Sequence, residues 1–256
     1  MHALVYILPL LFFVTAALYA SVGFGGGSTY NAVLILSGAD FRIVPIIALA
    51  CNILVVTGNT IRYAMTGNLD WRALLPALAL SVPLAWLGGR VPVSEFVFSA
   101  LLGVTLLLTG LSMLFQRRWK RPADTPVTSR ALVLMPVGAA TGFLAGLVGI
   151  GGGIFLAPVL YWIRWSHEKA IAAACSLFIL LNSMSGLAGQ AAKLSSVGTL
   201  QMAKPYLPLL PAVLIGGWLG NRFGVLKMQP DHLRQGTAVL ILIVAVRLLY
   251  KVWRTT

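Results

Sequence analysis

Two stretches of this chain place glycines beside polar donors in a spacing that could receive an anion: SVGFGGGSTY at 21–30 and LVGIGGGIFL at 147–156. Gly25, Gly26 and Gly27, and again Gly151, Gly152 and Gly153, lack a Cβ and so permit unusual dihedrals and close backbone approach. If a helix begins just after either triplet, its first amides have no partner inside the helix, and the positive end of its dipole points the same way. Such a terminus suits an oxyanion. Ser28 and Thr29 follow the first triplet and could cap the new helix or offer hydroxyls to the anion. Ile154 and Phe155 follow the second, so any symmetry between the two is imperfect.

Further donors sit in the apolar segments that follow. Asn52 and Asn59 are seven positions apart and share one helix face; Ser176, Asn182 and Ser183 occupy the comparable segment later in the chain, with Gln190 and Lys193 beyond. Amides inside a helical bundle can donate to an anionic oxygen, and interhelical bonding would account for them equally well. Cys51 and Cys175 hold equivalent places and could touch a sulfur-containing solute, although small buried thiols ordinarily serve as packing. Lys193 could attract an anion, but its place near a helix end favours snorkelling.

Catalytic and cofactor chemistry finds little support. Only His2, His167 and His232 are histidines, there is no Cys/His cluster for a metal, and Ser28 has no histidine and acid to activate it. GFGGGS fits a dinucleotide loop poorly, and no GxxxxGK[ST] sequence is present for ATP. The six acids all fall in or beside connections, so an intramembrane carboxylate relay is unsupported and the absence of deep anionic sites tilts the solute toward negative charge. No metal, cofactor or catalytic residue is expected.

The elements that must hold these residues are apolar helices. The chain has 256 residues, 59% hydrophobic and 10% charged, with a mean hydropathy of +0.90, whereas a soluble domain carries about 25% charge. Apolar stretches run over 4–22, 43–61, 73–89, 96–115, 131–148, 170–192, 205–219 and 235–250, most approaching the roughly 20 residues that cross hydrocarbon. The expected fold is an all-α integral membrane protein of about eight transmembrane helices. The net charge of +13 lies in short connections and at helix ends, which fits anchoring and orientation rather than nucleic acid.

The chain also repeats itself. Val22–Gly27 aligns with Val148–Gly153, Ala50-Cys51-Asn52 with Ala174-Cys175-Ser176, Leu75-Pro76 with Leu207-Pro208, and Trp86–Arg90 with Trp218–Arg222, in the same order. Two homologous four-segment halves follow, 1–114 and 131–256, each opening with a segment broken at its GxGGG motif. Between them, 115–130 is a linker with the strongest local Lys/Arg cluster, expected in the cytoplasm. Eight alternating crossings with both termini cytoplasmic is the preferred topology. If the glycine segments are instead re-entrant hairpins, each half crosses three times and the halves are inverted; both schemes put 12 of the 19 Lys and Arg residues on the side of the linker.

The paired segments SVGFGGGSTYNAVLILSG and AGLVGIGGGIFLAPVL resemble the TauE/SafE sulfite exporter family over nearly the whole chain. Gly23, Gly25, Gly26 and Gly27 match in the first motif, and Gly149, Gly151, Gly152, Gly153 and Pro158 in the second; Ala32 stands where a matching proline would fall in the first. The resemblance implies secondary transport, commonly export across the bacterial inner membrane, of a small sulfur-containing or organic anion such as sulfite or a sulfonate. The expected mechanism is alternating access around a central site, with membrane lipid as the other partner. Proton or other ion coupling and homo-oligomerisation stay open. An anion channel and a membrane assembly protein without transport are the alternatives.

Overall fold

A computed structural model of the chain describes residues 2–115, 130–163, 165–193, 201–223 and 230–255. Those residues form ten α-helices and a short 3-10 turn at Lys204–Tyr206, without strands. The first half holds α1 His2–Val22, α2 Gly27–Leu36, α3 Val44–Met65, α4 Trp71–Arg90 and α5 Glu95–Phe115. The second holds α6 Arg130–Val148, α7 Gly153–Trp162, α8 Glu168–Lys193, α9 Leu209–Phe223 and α10 Pro230–Thr255. Apart from its two ends, the 115–130 linker lies outside the described residues.

Local chemistry sets several of these boundaries. Pro45 sits in the first turn of α3, where its missing N–H costs nothing, and the Asp70 carboxylate caps α4 by accepting from the Ala73 N–H at 3.1 Å. The breaks between α1 and α2 and between α6 and α7 fall at residues 23–26 and 149–152, where the glycines are. Four helical stretches among the described residues are long and apolar enough to cross a membrane: Val44–Met65, Trp71–Arg90, Glu95–Ser112 and Glu168–Lys193. Ile7–Val22, Val133–Val148 and Gly153–Trp162 are shorter apolar helices. Leu10, Leu108, Ile243 and Val246 are among many large apolar side chains turned outward, as expected where the surrounding solvent is hydrocarbon.

Helix directions follow from which residues meet. Gly216 and Gly220 of α9 lie against Phe13 and Ala17 of α1, and Gly217 and Asn221 against Val55 and Gly58 of α3. In both pairs the numbers rise together, so α1, α9 and α3 all run the same way. On the other side, Gly138, Gly142 and Gly146 of α6 lie against Ala77, Ser81 and Ala85 of α4, again in parallel. Between the two groups α3 and α8 run antiparallel, with Leu49 beside Gly186 and Tyr63 and Ala172 meeting together above Gly23. α8 therefore runs opposite to α3, and α6 opposite to α1.

The parallel course of α1 and α3 departs from the expected alternation of eight crossings, because two consecutive spans cannot share a direction. The chain reverses at each glycine break instead. Phe12 stacks on Tyr30 at 4.7 Å between centroids, Thr15 lies against Gly26, and Phe24 donates back to the Tyr19 carbonyl at 2.9 Å. α2 thus retraces α1 and ends near the start of α3. The ends of α5 and α10 also fall on opposite ends of the bundle: Lys251 and Glu95 pair at 2.8 Å, so these two helices are antiparallel.

The halves interlock. α4 packs on α6 and α8, α9 packs on α1 and α3, and α5 pairs with α10. One apolar cluster, containing Phe12, Tyr30, Leu34 and Leu102, encloses the first hairpin; another, containing Leu74, Leu156, Leu160 and Phe178, encloses the second. The antiparallel pair α3 and α8 is the most enclosed, with 61% of each spanning window buried against 39% in α4 and 44% in α5. Both hairpins end against this central pair.

Candidate functional site

Each short helix starts on a glycine that only glycine accommodates easily. Gly26, the residue before α2, has φ 88°, and Gly152, before α7, has φ 78°; any other L residue there would cost about 1–2 kcal/mol. Neither N-terminus has a side-chain cap. Thr29 and Tyr30 bond back to the Gly26 carbonyl, and Phe155 and Leu156 to that of Gly152. The amides of Gly27, Ser28, Gly153 and Ile154 precede those bonds and project from the helix starts. Two positive dipole ends are thereby set inside the bundle.

The side chain between them is Asn52. A Cβ placed on Gly25 or Gly27 would collide with its carboxamide, and one on Gly151 would lie 3.0 Å from its Nδ2. Asn52 is wholly buried, and neither Oδ1 nor Nδ2 has a hydrogen-bond partner. An amide left so in an apolar interior costs about 1–3 kcal/mol. Ser183, also wholly buried and without a partner for Oγ, faces the same glycine: its Oγ lies 3.1 Å from the Cβ position of Gly151. Two more unpartnered groups, Asn59 Nδ2 and Thr60 Oγ1, stand two turns further along α3. Native interiors seldom leave so many polar atoms in one place unpaired, and functional sites are where they do.

The remaining sequence candidates fall into place unequally. Ser28 is buried but caps nothing, and the Thr29 hydroxyl pairs with the Tyr19 phenol at 2.9 Å across the hairpin. Both lie within the helix, where a hydroxyl no longer reaches the orphan amides in the manner of a cap. Ser176 donates to the Gly23 carbonyl at 2.6 Å and so braces the first break. Asn182 spends its Nδ2 on Ser81 Oγ at 3.1 Å and the Phe178 carbonyl at 2.8 Å, which aims it at α4. Cys51 and Cys175 are buried free thiols in different apolar clusters. Arg90 and Arg222 each stack over the tryptophan four residues earlier, at 5.0 and 5.5 Å from the ring centroid.

Asn31 was not among the sequence candidates. Its Nδ2 donates to the Val148 carbonyl at 2.9 Å, joining the two hairpins directly, while its Oδ1 stays unpaired. Tyr30 beside it is fully buried with an unpartnered hydroxyl. Gln190 bonds the Gly146 and Leu147 carbonyls at 2.9 and 3.3 Å, holding the last turn of α6. Serine 183 could have been preferred to its neighbour from the sequence, because the 124-residue offset that pairs Asn52 with Ser176 pairs Asn59 with Ser183.

Charge is kept away from this centre. Asp40, Asp70, Glu95 and Glu168 sit in connections or first turns, and no group of metal-ligating side chains occurs among the described residues. The arrangement offers neutral donors, two helix starts and a carboxamide, a set that can replace part of an anion's hydration without clamping it.

Comparison with known proteins points to transport. A family model described as "Sulfite exporter TauE/SafE" matches residues 8–248. The chain is 32% identical over 246 residues to the "Probable membrane transporter protein y4hK" of Sinorhizobium fredii, covering 95% of this chain and 97% of that one. It is 27% identical over 246 residues to the "Probable membrane transporter protein MJ0441" of Methanocaldococcus jannaschii, covering 89% and 90%. With the "Probable membrane transporter protein YunE" of Bacillus subtilis the figures are 24%, 96% and 97%. No solved structure matches. With its two glycine-broken hairpins and a match over nearly its full length, the chain belongs to the TauE/SafE sulfite exporter family of membrane transporters.

Proposed function

We propose that this protein is a secondary transporter that exports a small sulfur-containing or organic anion, such as sulfite or a sulfonate, across the bacterial inner membrane. The observation that carries the reading is Asn52: a wholly buried carboxamide with no protein partner, lying between two inward-facing helix starts. The anion would take hydrogen bonds from Asn52, Ser183 and the amides that open α2 and α7. Neutral donors bind strongly enough to compensate lost hydration and weakly enough to let the anion leave. Alternating access would come from the hairpins moving against the α3–α8 pair, exposing the site first at one end of the bundle and then at the other.

In the membrane, each half would cross three times through α3–α5 and α8–α10, with the glycine hairpins re-entrant. The end of the bundle that carries both chain termini holds Arg42, Arg90, Lys193, Lys204, Arg247, Lys251 and Arg254, which leaves 12 Lys and Arg residues on the end of the 115–130 linker. The positive-inside rule then puts the linker in the cytoplasm and both termini outside.

Liposomes containing only the purified protein test the function. Saturable flux of sulfite, methanesulfonate or another small anion, without chemical change of the solute, is the expected result. Flux absent for every anion offered, with folded protein, would remove the reading.

A further inference from the structure

A cleft of about 170 Å³ opens at the end of the bundle that carries the termini. Its two cations come from different halves: Arg42 from the α2–α3 connection and Lys193 from the last turn of α8. The rest of its wall is apolar: Phe41 and Val93 are half-buried and Pro92 exposed, with Phe98 and Leu147 buried in the core. One acid stands by. Asp40 accepts from the Arg42 N–H at 2.8 Å and lies 3.8 Å from its Nε, leaving an excess of positive charge and most of the guanidinium donors available.

The cleft adjoins the second glycine break. Pro45, in its lining, has its Cβ 3.0 Å from where a Cβ on Gly149 would be, and Gly151, two residues on, borders Asn52. The volume resembles that of a cavity of roughly 150 Å³ that takes one benzene molecule. Bare sulfite would satisfy the cations and leave Phe41 and Val93 uncovered.

We propose that this cleft is a second anion site, a vestibule for an oxyanion head of sulfonate, carboxylate or phosphate type carrying a short apolar body. The head sits between Arg42 and Lys193, and the body lies against the half-buried Phe41 and Val93. The vestibule deepens the transport reading and rests on it for passage to Asn52, while its binding stands on the cleft itself. The same head chemistry is present on a lipid phosphate, so the test must separate a free solute from a lipid.

The test is equilibrium titration of benzenesulfonate into the full chain in phosphatidylcholine nanodiscs. Saturable binding is expected, weakened at least tenfold in an Arg42→Gln/Lys193→Gln double variant and retained in Lys193→Arg, with thermal unfolding showing each variant folded. Sulfite should bind at least fivefold more weakly than benzenesulfonate, Val93→Ser should narrow that gap, and raising salt should weaken both. Absence of probe binding, or equal binding by the folded double variant, overturns the proposal. Retention of phosphatidylglycerol by the parent alone, with no probe binding in phosphatidylcholine, assigns the cleft to lipid and also overturns it. Probe binding without flux of any anion would instead refute transport and leave the vestibule standing.

Discussion

The Asn31 carboxamide donates to the Val148 carbonyl at 2.9 Å, across 117 residues of sequence, and ties the first hairpin to the second within the bundle. Any motion that separates the hairpins must break this bond. Asn31→Leu leaves the Val148 carbonyl unpaired and should lower stability by about 1–3 kcal/mol, measured by thermal unfolding in detergent. The variant should also shift hairpin accessibility, read as faster labelling of a cysteine introduced at Ser21. Unchanged stability and labelling would remove Asn31 as the tie.

Gly27 and Gly152 fail differently when substituted. Gly27→Ala drives a methyl into the Asn52 carboxamide and to within 2.8 Å of the Ile150 carbonyl. It should cut anion flux at least tenfold and, because the Ile150 carbonyl is backbone and must shift, lower stability as well. Gly152→Ala forces a left-handed residue and should cost about 1–2 kcal/mol of stability as well. Full flux from both variants in liposomes would detach the breaks from transport.

The glycines of α6 have a separate task. Gly138, Gly142 and Gly146 let that helix lie backbone to backbone against Ala77, Ser81 and Ala85 of α4. Gly142→Leu should therefore reduce folded yield severely, since overpacking costs about 1–3 kcal/mol or more. Size-exclusion profiles after mild solubilisation would show aggregation; a monodisperse, fully active variant would contradict this packing.

Topology yields an outcome on which the two crossing schemes disagree. A reporter active only outside the cytoplasm should work when fused after Thr256 and fail when placed in the linker. Because Cys51 and Cys175 are buried, single cysteines added to the unaltered chain can be mapped with impermeant reagents as a second readout. Failure of the reporter in both fusions, with the protein made and folded, would restore eight alternating spans.

The helical membrane class and the breaks between α1 and α2 and between α6 and α7 were legible in the sequence because apolar length and glycine content are local properties. Chain direction was not. Lys and Arg divide 12 to 7 whether the hairpins cross or return, so charge cannot separate the schemes, and only contacts such as Gly216 with Phe13 settle that α1 and α3 are parallel. Asn182 drew attention as an amide, yet its Nδ2 serves α4 and Ser183 beside it faces Gly151. One position is 100° on a helix, and residue type cannot supply that angle. Asn31 and the Arg42–Lys193 cleft depend on which half packs on which, a relation that no single segment encodes.

The most direct measurement is flux and stability together for Asn52→Leu. Asn52 lacks a protein partner, so an apolar side chain of similar size should leave stability equal or raise it by about 1–3 kcal/mol, while anion flux in liposomes falls at least tenfold. A destabilised variant that still transports at the parent rate would make Asn52 a structural residue and contradict the account.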